Sequence, residues 1–238
     1  MDSAGYITLS RQSGLQREMQ VVANNIANAA TTGFRAEGMI FSEYVQSIEH
    51  DSSLSMGQGN VGKTSFEQGG LTKTNGTFDF AIEGDGYFMI QTPTGDRLTR
   101  AGSFTPNAEG ELVTNDGFRV LDAGGAPVFV PTGAGPISVS NDGTLSVDGA
   151  PIGQLGIMRP LAPLDMVRED GVMFRADEGV EPALDARVMQ GFVEASNVNP
   201  LLELARMIDV QRAYEMGQSF LEAEDGRMRA ALKTLTQS

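Results

Sequence analysis

The residues with the most evident chemical potential are Gly57-Gln58-Gly59-Asn60-Val61-Gly62-Lys63-Thr64. The run satisfies both G-x-x-x-x-G-K-[ST] and G-x-G-x-x-G, spacings at which backbone N–H groups cradle phosphates and a lysine reaches them. Such a cradle works only when a buried strand delivers it and a helix follows, aiming N–H groups and a dipole at the anion. Upstream, Ile48-Glu49-His50-Asp51-Ser52-Ser53 is too polar for a central strand. Downstream, Gly69-Gly70 arrives before a helix completes two turns. Nucleotide binding is therefore the minor reading of this stretch.

The remaining reactive side chains are sparse. Glu83 with Asp85, or Asp165 with Glu169 and Asp170, offer carboxylates for acid–base work; beside turns and among 31 acidic residues they read as a solvated face. Asn107-Ala108-Glu109-Gly110 and Asn141-Asp142-Gly143 resemble pieces of calcium loops, without the D-x-[DN]-x-[DN]-G run and closing Glu. There is no Cys, and the single His50 cannot supply paired imidazoles. Disulfides, thiolate sites and typical zinc sites are thereby excluded, and the expectation is a chain without a cofactor that is not an enzyme.

Net charge reinforces that view. The 238 residues carry 17 Lys+Arg against 31 Asp+Glu, net −14. A nucleic-acid partner is disfavoured, because affinity for phosphates comes from cations. Residues 1–50 hold 3 basic and 5 acidic side chains, 51–195 hold 9 and 20, and 196–238 hold 5 and 6, so the acidity belongs to the middle. No apolar run approaches the roughly 20 residues of a membrane span, and Met1 to Gly14 has no cationic region or A-x-A site. The chain is expected to be soluble, not membrane-inserted, and without a cleavable signal.

Two helices are expected to frame this acidic middle. Leu15, Met19, Val22, Ile26 and Ala29 step by four and three, a coiled-coil-like seam, stopped by Thr31-Thr32-Gly33 with Gly33 as a left-handed cap and Phe34 folding back. Asn199 and Pro200 are a good N-cap and first residue for a second helix. In it Met207, Tyr214, Leu221, Met228 and Leu235 recur every seven residues, while the companion positions Leu204, Gln211, Gln218, Asp225 and Leu232 are polar in the middle.

Between the helices lie short β-prone segments at 78–82, 87–91, 112–114, 118–121, 128–130, 137–139 and 152–158. Asp85-Gly86, Glu109-Gly110, Asp116-Gly117, Asp142-Gly143 and Asp148-Gly149 supply turns. The expected fold class is α+β: long N- and C-terminal helices pairing as a coiled-coil-like layer, with an antiparallel all-β middle domain. The segments are 1–41 (helix and assembly signature), 42–68 (extended linker), 69–192 (β domain) and 193–238 (helix).

Asn24, Asn25 and Asn28 are unusual, because amides lower helix propensity and compete for backbone hydrogen bonds. They serve either as an exposed face near a frayed end or, with Gln211 and Gln218, as groups that set register against neighbouring subunits.

At Ala23-Asn24-Asn25-Ile26-Ala27-Asn28-Ala29-Ala30-Thr31-Thr32-Gly33-Phe34-Arg35 the chain resembles the N-terminal signature of bacterial flagellar rod and hook proteins. Gln68-Gly69-Gly70-Leu71, Ala81 to Phe88 and Thr99-Arg100-Ala101-Gly102-Ser103-Phe104 through Gly117 resemble middle blocks of that family. Val193-Glu194-Ala195-Ser196-Asn197-Val198-Asn199 with Met207-Ile208 and Gln211-Arg212-Ala213-Tyr214-Glu215 resembles its C-terminal signature.

The resemblance implies a structural subunit of the flagellar basal-body rod, a drive shaft transmitting torque. Its length is similar to that of a proximal rod protein, with the distal rod protein as alternative. It also implies export without a cleaved signal through the flagellar type III apparatus, a place in the periplasm-spanning rod, and other rod subunits as partners. The residues expected to carry assembly are Leu15, Met19, Val22, Asn24, Asn25, Ile26, Asn28, Thr32, Gly33, Phe34, Ser196, Asn197, Asn199, Met207, Ile208, Gln211, Tyr214 and Leu221. A P-loop protein and a free-standing β-rich binding domain stand as readings from other classes.

Overall fold

The computed structural model describes the backbone of residues 2–46, 54–131, 133 and 135–236, and the side chains of 7–40, 62–131, 133 and 135–234. His50, residues 47–53 of the expected linker, and the side chains of 57–61 and of Leu235 lie outside the described residues. The chain divides into two compact units. Unit 1 comprises Met1–Ala29, Ala36–Phe66 and Val198–Ser238; unit 2 comprises Ala30–Arg35 and Glu67–Asn197.

Unit 1 contains α1 (Asp2–Ala27), β1 (Glu37–Gln46), β2 (Leu54–Thr64) and α2 (Pro200–Thr236). The last carbonyls of α1 are satisfied locally: Asn28 donates its backbone N–H to Asn24 O at 3.1 Å and its amide to the same oxygen at 2.9 Å. At the start of α2, Asn199 Oδ1 accepts from the N–H groups of Leu201 and Leu202 at 3.1 and 3.3 Å, the expected N-cap ahead of Pro200.

β1 and β2 pair antiparallel from Glu37↔Thr64 to Gln46↔Leu54, with a bulge at Ile40/Phe41. The stretch expected as a linker thus contains paired strands. Its polar, glycine-bearing residues show no apolar alternation, but a hairpin ladder needs only backbone donors and acceptors. The phosphate-loop string 57–64 is continuous extended backbone within β2, and the next element is another strand. The helix N-terminus that a phosphate cradle requires does not follow it.

The coiled-coil-like pairing of the terminal helices is overturned. Of the expected companion row on α2, Leu204 is 52% and Leu232 62% exposed, and Gln211, Gln218 and Asp225 are exposed. Val210 is the one buried residue of α2 among the described side chains. On α1 the buried row holds Leu15 and Val22 but also Glu18 and Asn25. Glu18 meets Arg206 at 2.8 Å, and Asn25 turns to β1. The contact between the two helices includes the Glu18–Arg206 ion pair, and the buried row of α1 is interrupted by polar side chains rather than forming a continuous apolar seam. A heptad spacing marks a face, and what covers that face is a tertiary matter.

Unit 2 is antiparallel throughout. Its strands are β3 (Leu71–Lys73), β4 (Phe80–Glu83), β5 (Tyr87–Thr92), β6 (Gly95–Thr99), β7 (Phe104–Pro106), β8 (Leu112–Thr114), β9 (Arg119–Val120), β10 (Ile137–Val139) and β11 (Thr144–Val147). They continue with β12 (Ala150–Gln154), β13 (Ile157–Pro160), β14 (Val167–Glu169), β15 (Met173–Arg175), β16 (Val180–Pro182), β17 (Arg187–Gln190) and β18 (Phe192–Glu194). The main sheet runs β14-β15-β6-β5-β9-β8-β7, with β13 joining β5 and β16 joining β13. Smaller pairings are β17 with β4, β18 with β3, and the meander β10-β11-β12.

β5 shows why the sheet is covered on both faces. Phe88 and Ile90 enter one core with Phe80, Phe104 and Leu112, while Tyr87 and Met89 enter a second with Leu98, Met158 and Phe174. Period-two alternation puts successive side chains on opposite faces, and here both are apolar. Phe88 and Phe104 meet edge to face with centroids 5.2 Å apart. Asp148 (φ 50°) and Gly149 (φ 83°) make the two-residue turn between β11 and β12.

Candidate assembly site

In unit 1, Asn25 is fully buried. Its Nδ2 donates to Glu37 O at 2.7 Å, and its Oδ1 accepts from Glu37 N at 2.9 Å. The amide imitates a strand partner and fixes where β1 begins relative to α1. Both of its polar ends are engaged within the chain, so this amide is not offered outward. Asn24 is exposed and accepts at Oδ1 from Asn28 at 2.9 Å. Leu15 and Val22 are buried, whereas Met19, Ile26, Met207, Tyr214 and Leu221 are half-buried. Ile208 is 43% exposed, and Gln211 is exposed. The buried members of these rows, Leu15, Val22 and Asn25, thus all lie on α1, and the exposed ones on α2 are Ile208 and Gln211.

In unit 2 three distant signature blocks converge on one buried carboxylate. Glu194 ends β18, paired with Leu71 of β3, and is 1% exposed. Its Oε1 lies 2.8 Å from Arg35 Nη2, and its Oε2 lies 3.1 Å from Arg100 Nη1. Oε1 also accepts from Gly69 N at 3.0 Å. Arg100 donates further to Ile82 O at 3.2 Å and Gly84 O at 2.7 Å, and its guanidinium sits 5.0 Å from the Tyr87 ring centroid. Burial lowers the Arg35 pKa from its ordinary value while Glu194 opposes the shift. Burial raises that of the Tyr87 phenol.

Around this triad the ends of the unit 2 segments are tied together. Gly33 N donates to Glu194 O at 2.7 Å. Arg35 Nη1 donates to Glu67 O, which also accepts from Asn197 Nδ2 at 2.8 Å. Asn197 N donates to Phe34 O at 3.3 Å. Gly33, expected as a helix cap, serves instead as a close-approach position: its φ is +70°, and a Cβ there would lie 2.2 Å from Ala101 N. Phe34, expected to fold back on the helix, is buried against the Arg168 guanidinium, which stacks between the Phe34 and Phe174 rings at 4.7 and 4.8 Å. Thr32 and Ser196 are half-buried beside these residues.

Arg35, Arg100, Glu194 and Arg168 were not among the expected site residues. For Arg35, Arg100 and Glu194 the available signal was a charged residue inside each recognisable block, TTGFR, LTRAG and VEASN, where the neighbours are small or apolar; Arg168 lies in none of these blocks. The imagined catalytic carboxylates are placed otherwise. Glu169 is held by Arg97 at 2.6 Å and by Arg175, while Asp85 lies at an exposed turn. Asn107 Oδ1 accepts from Glu111 N at 2.8 Å, and Asp142 Oδ1 from Thr144 N at 3.1 Å, so both calcium-like fragments are turns that bind their own backbone.

Comparison with known proteins matches the same blocks. Residues 6–35 match the family described as flagella basal body rod protein, 81–147 the flagellar hook protein FlgE/F/G D1 domain, and 189–234 the flagellar basal body rod FlgEFG protein C-terminal. The flagellar basal-body rod protein FlgF of Caulobacter vibrioides is 37% identical over 241 residues, covering 99% of this chain and 98% of its own. FlgF of Mesorhizobium japonicum is 39% identical over 240 residues with the same coverage. The rod protein FlgG of Bacillus subtilis is 31% identical over 254 residues, covering 92% of this chain and 94% of its own. With relatives this similar along their whole length and its signature charges gathered at one buried carboxylate, the chain belongs to the family of flagellar basal-body rod proteins.

Proposed function

We propose that this chain is a structural, non-enzymatic subunit of the flagellar basal-body rod, taking the FlgF place in the proximal rod and assembling with other rod subunits. The observation that carries the reading is the near-complete, end-to-end likeness to FlgF relatives at 37–39% identity, against 31% for FlgG. The exposed Ile208 and Gln211 of α2, with the half-buried Met207, Tyr214 and Leu221, supply contact surface to neighbours, and the buried Leu15 and Val22 of α1 support the helix layer. A closely packed interior of low compressibility suits a shaft that transmits torque. The acidity concentrated in residues 51–195 keeps like charge away from crowded helical contacts, where low dielectric would magnify repulsion.

The same reading includes passage through the flagellar export apparatus without a cleaved signal, and a position in the periplasm-spanning rod. Head-to-tail contacts build an open helix rather than a ring. The test is to delete the gene in its own bacterium, restore it with an epitope tag, and isolate basal bodies. Tagged chain in the basal bodies next to the membrane-proximal end, with motility restored, is the expected result. Tag along the distal rod would assign the FlgG place instead, and motile cells lacking the chain altogether would overturn the reading.

A further inference from the structure

β13 ends at Pro160, and the chain reaches β14 through a short 3-10 turn, Pro163–Asp165. Pro160 and Pro163 fix two backbone angles, and Asp165 N closes the turn by donating to Ala162 O at 3.1 Å. At its base Leu161 N donates to Gly179 O at 3.1 Å, while Met166 and Val180 pack against the core of Tyr87 and Phe174. The loop is anchored and stiff, yet Leu164 is 83% exposed, Leu161 57% and Val167 42%. Single exposed leucines are ordinary; three large apolar side chains gathered on one anchored loop mark a contact surface.

The charge around this loop is one-sided. Residues 157–182 hold 3 basic and 6 acidic side chains, and the basic ones are engaged. Arg159 pairs with Glu181 at 2.6 Å, Arg175 pairs with Glu169 and Asp177, and Arg168 stacks between the Phe34 and Phe174 rings. Asp165 directly follows Leu164. Glu178 precedes Gly179, where a Cβ would lie 3.6 Å from Leu161 Cδ1. Both carboxylates are exposed, and among the described residues neither forms an ion pair.

We propose that the 161–167 loop docks into an apolar socket with a basic rim on a protein other than this chain. Leu161 and Leu164 fill the socket, and Asp165 and Glu178 pair with Lys or Arg at its edge. This deepens the proposed rod function and rests on it. The apolar pair supplies the burial, and the opposite charges steer the encounter and fix its register. A preformed loop loses little freedom on docking. A bilayer also accepts exposed leucines, but its anionic headgroups repel carboxylates at the surface. A second copy would bring a net charge of −14 to an already acidic loop.

The test places the photoreactive side chain of p-benzoylphenylalanine at position 164 of the full-length chain and irradiates isolated basal bodies. One major adduct to a different protein is expected, at a peptide where Lys or Arg lies beside apolar residues. The same probe at Glu109, exposed in the β7–β8 turn at the opposite edge of the main sheet, should not give that adduct. Asp165→Lys/Glu178→Lys should lower its yield about fivefold by reversing the complementary charge. Both sites being exposed, the purified double variant should melt as the parent does. Basal bodies that hold the chain but give no adduct, or an adduct to a second copy or to lipid, overturn the docking loop and leave the rod reading intact. So does the same adduct from the Glu109 probe, or a yield that the charge reversal does not change. Absence of the unmodified chain from basal bodies overturns both.

Discussion

Arg35 and Glu194, which come from opposite ends of the sequence, form an ion pair of 2.8 Å with both side chains 1% exposed. Arg100 completes a triad on the other carboxylate oxygen. Exchanging such a group for well-packed apolar residues is often tolerated, but removing one partner strands the remaining charge. Glu194→Ala leaves two buried guanidinium groups without their carboxylate and should cost about 3–5 kcal/mol. Urea denaturation of the purified chain checks this; a midpoint within error of the parent would refute a structural role for the triad.

Asn25 and Gln211 separate folding from assembly. Asn25→Ala leaves Glu37 N and O without their side-chain partner and should lose roughly 1–3 kcal/mol, read as faster amide exchange at Glu37. Gln211, exposed on α2, should leave melting of the isolated protein unchanged when replaced by Ala, yet reduce recovery in basal bodies. Equal effects of both variants on stability would contradict this division.

Gly33→Ala combines a left-handed backbone angle with a methyl 2.2 Å from Ala101 N. The backbone conformation alone costs about 1–2 kcal/mol for a residue with a Cβ, and the close approach adds to it. Thermal melting should show a clear loss, while Gly149→Ala, where nothing lies within 4 Å of the built Cβ, should show only the backbone part.

Burial raises the Tyr87 pKa, and Arg100 partly opposes the shift. The native state therefore holds the phenolic proton more tightly than the unfolded chain does. This contribution to stability is complete below the unfolded value of about 10 and is lost as pH rises through the folded value. Ultraviolet titration of the parent against Tyr87→Phe should reveal one tyrosine ionising late. Four tyrosines titrating together near the free value would count against it.

Lys63 is exposed within strand β2. Calorimetric titration with Mg-ATP should give no binding heat. A saturable signal abolished by Lys63→Ala would restore the nucleotide reading.

Much of the local structure is legible without coordinates. Asn199-Pro200 marks the start of α2 and Asp148-Gly149 the turn after β11, because caps and turns depend on neighbours within a few residues. β5, β8 and β10 fall on apolar, β-branched or aromatic runs. The hairpin of β1 and β2 lacks that signature: its ladder is made of backbone groups, which composition does not reveal. The heptad on α2 identifies a helix face, but not that Gln211 and Leu232 would stay uncovered within the chain.

The sequence by itself determined the two helices, the acidic β-rich middle, the lack of thiol chemistry and the family blocks, all carried by composition, short-range spacing and local motifs. Only the tertiary structure decided that Arg35, Arg100 and Glu194 meet, that Asn25 serves Glu37, and that the Gln12 side chain lies against Gly217. Those relationships join residues far apart in the chain, and their energies arise from burial and from satisfying polar groups out of water, conditions that exist only once the chain has folded around them.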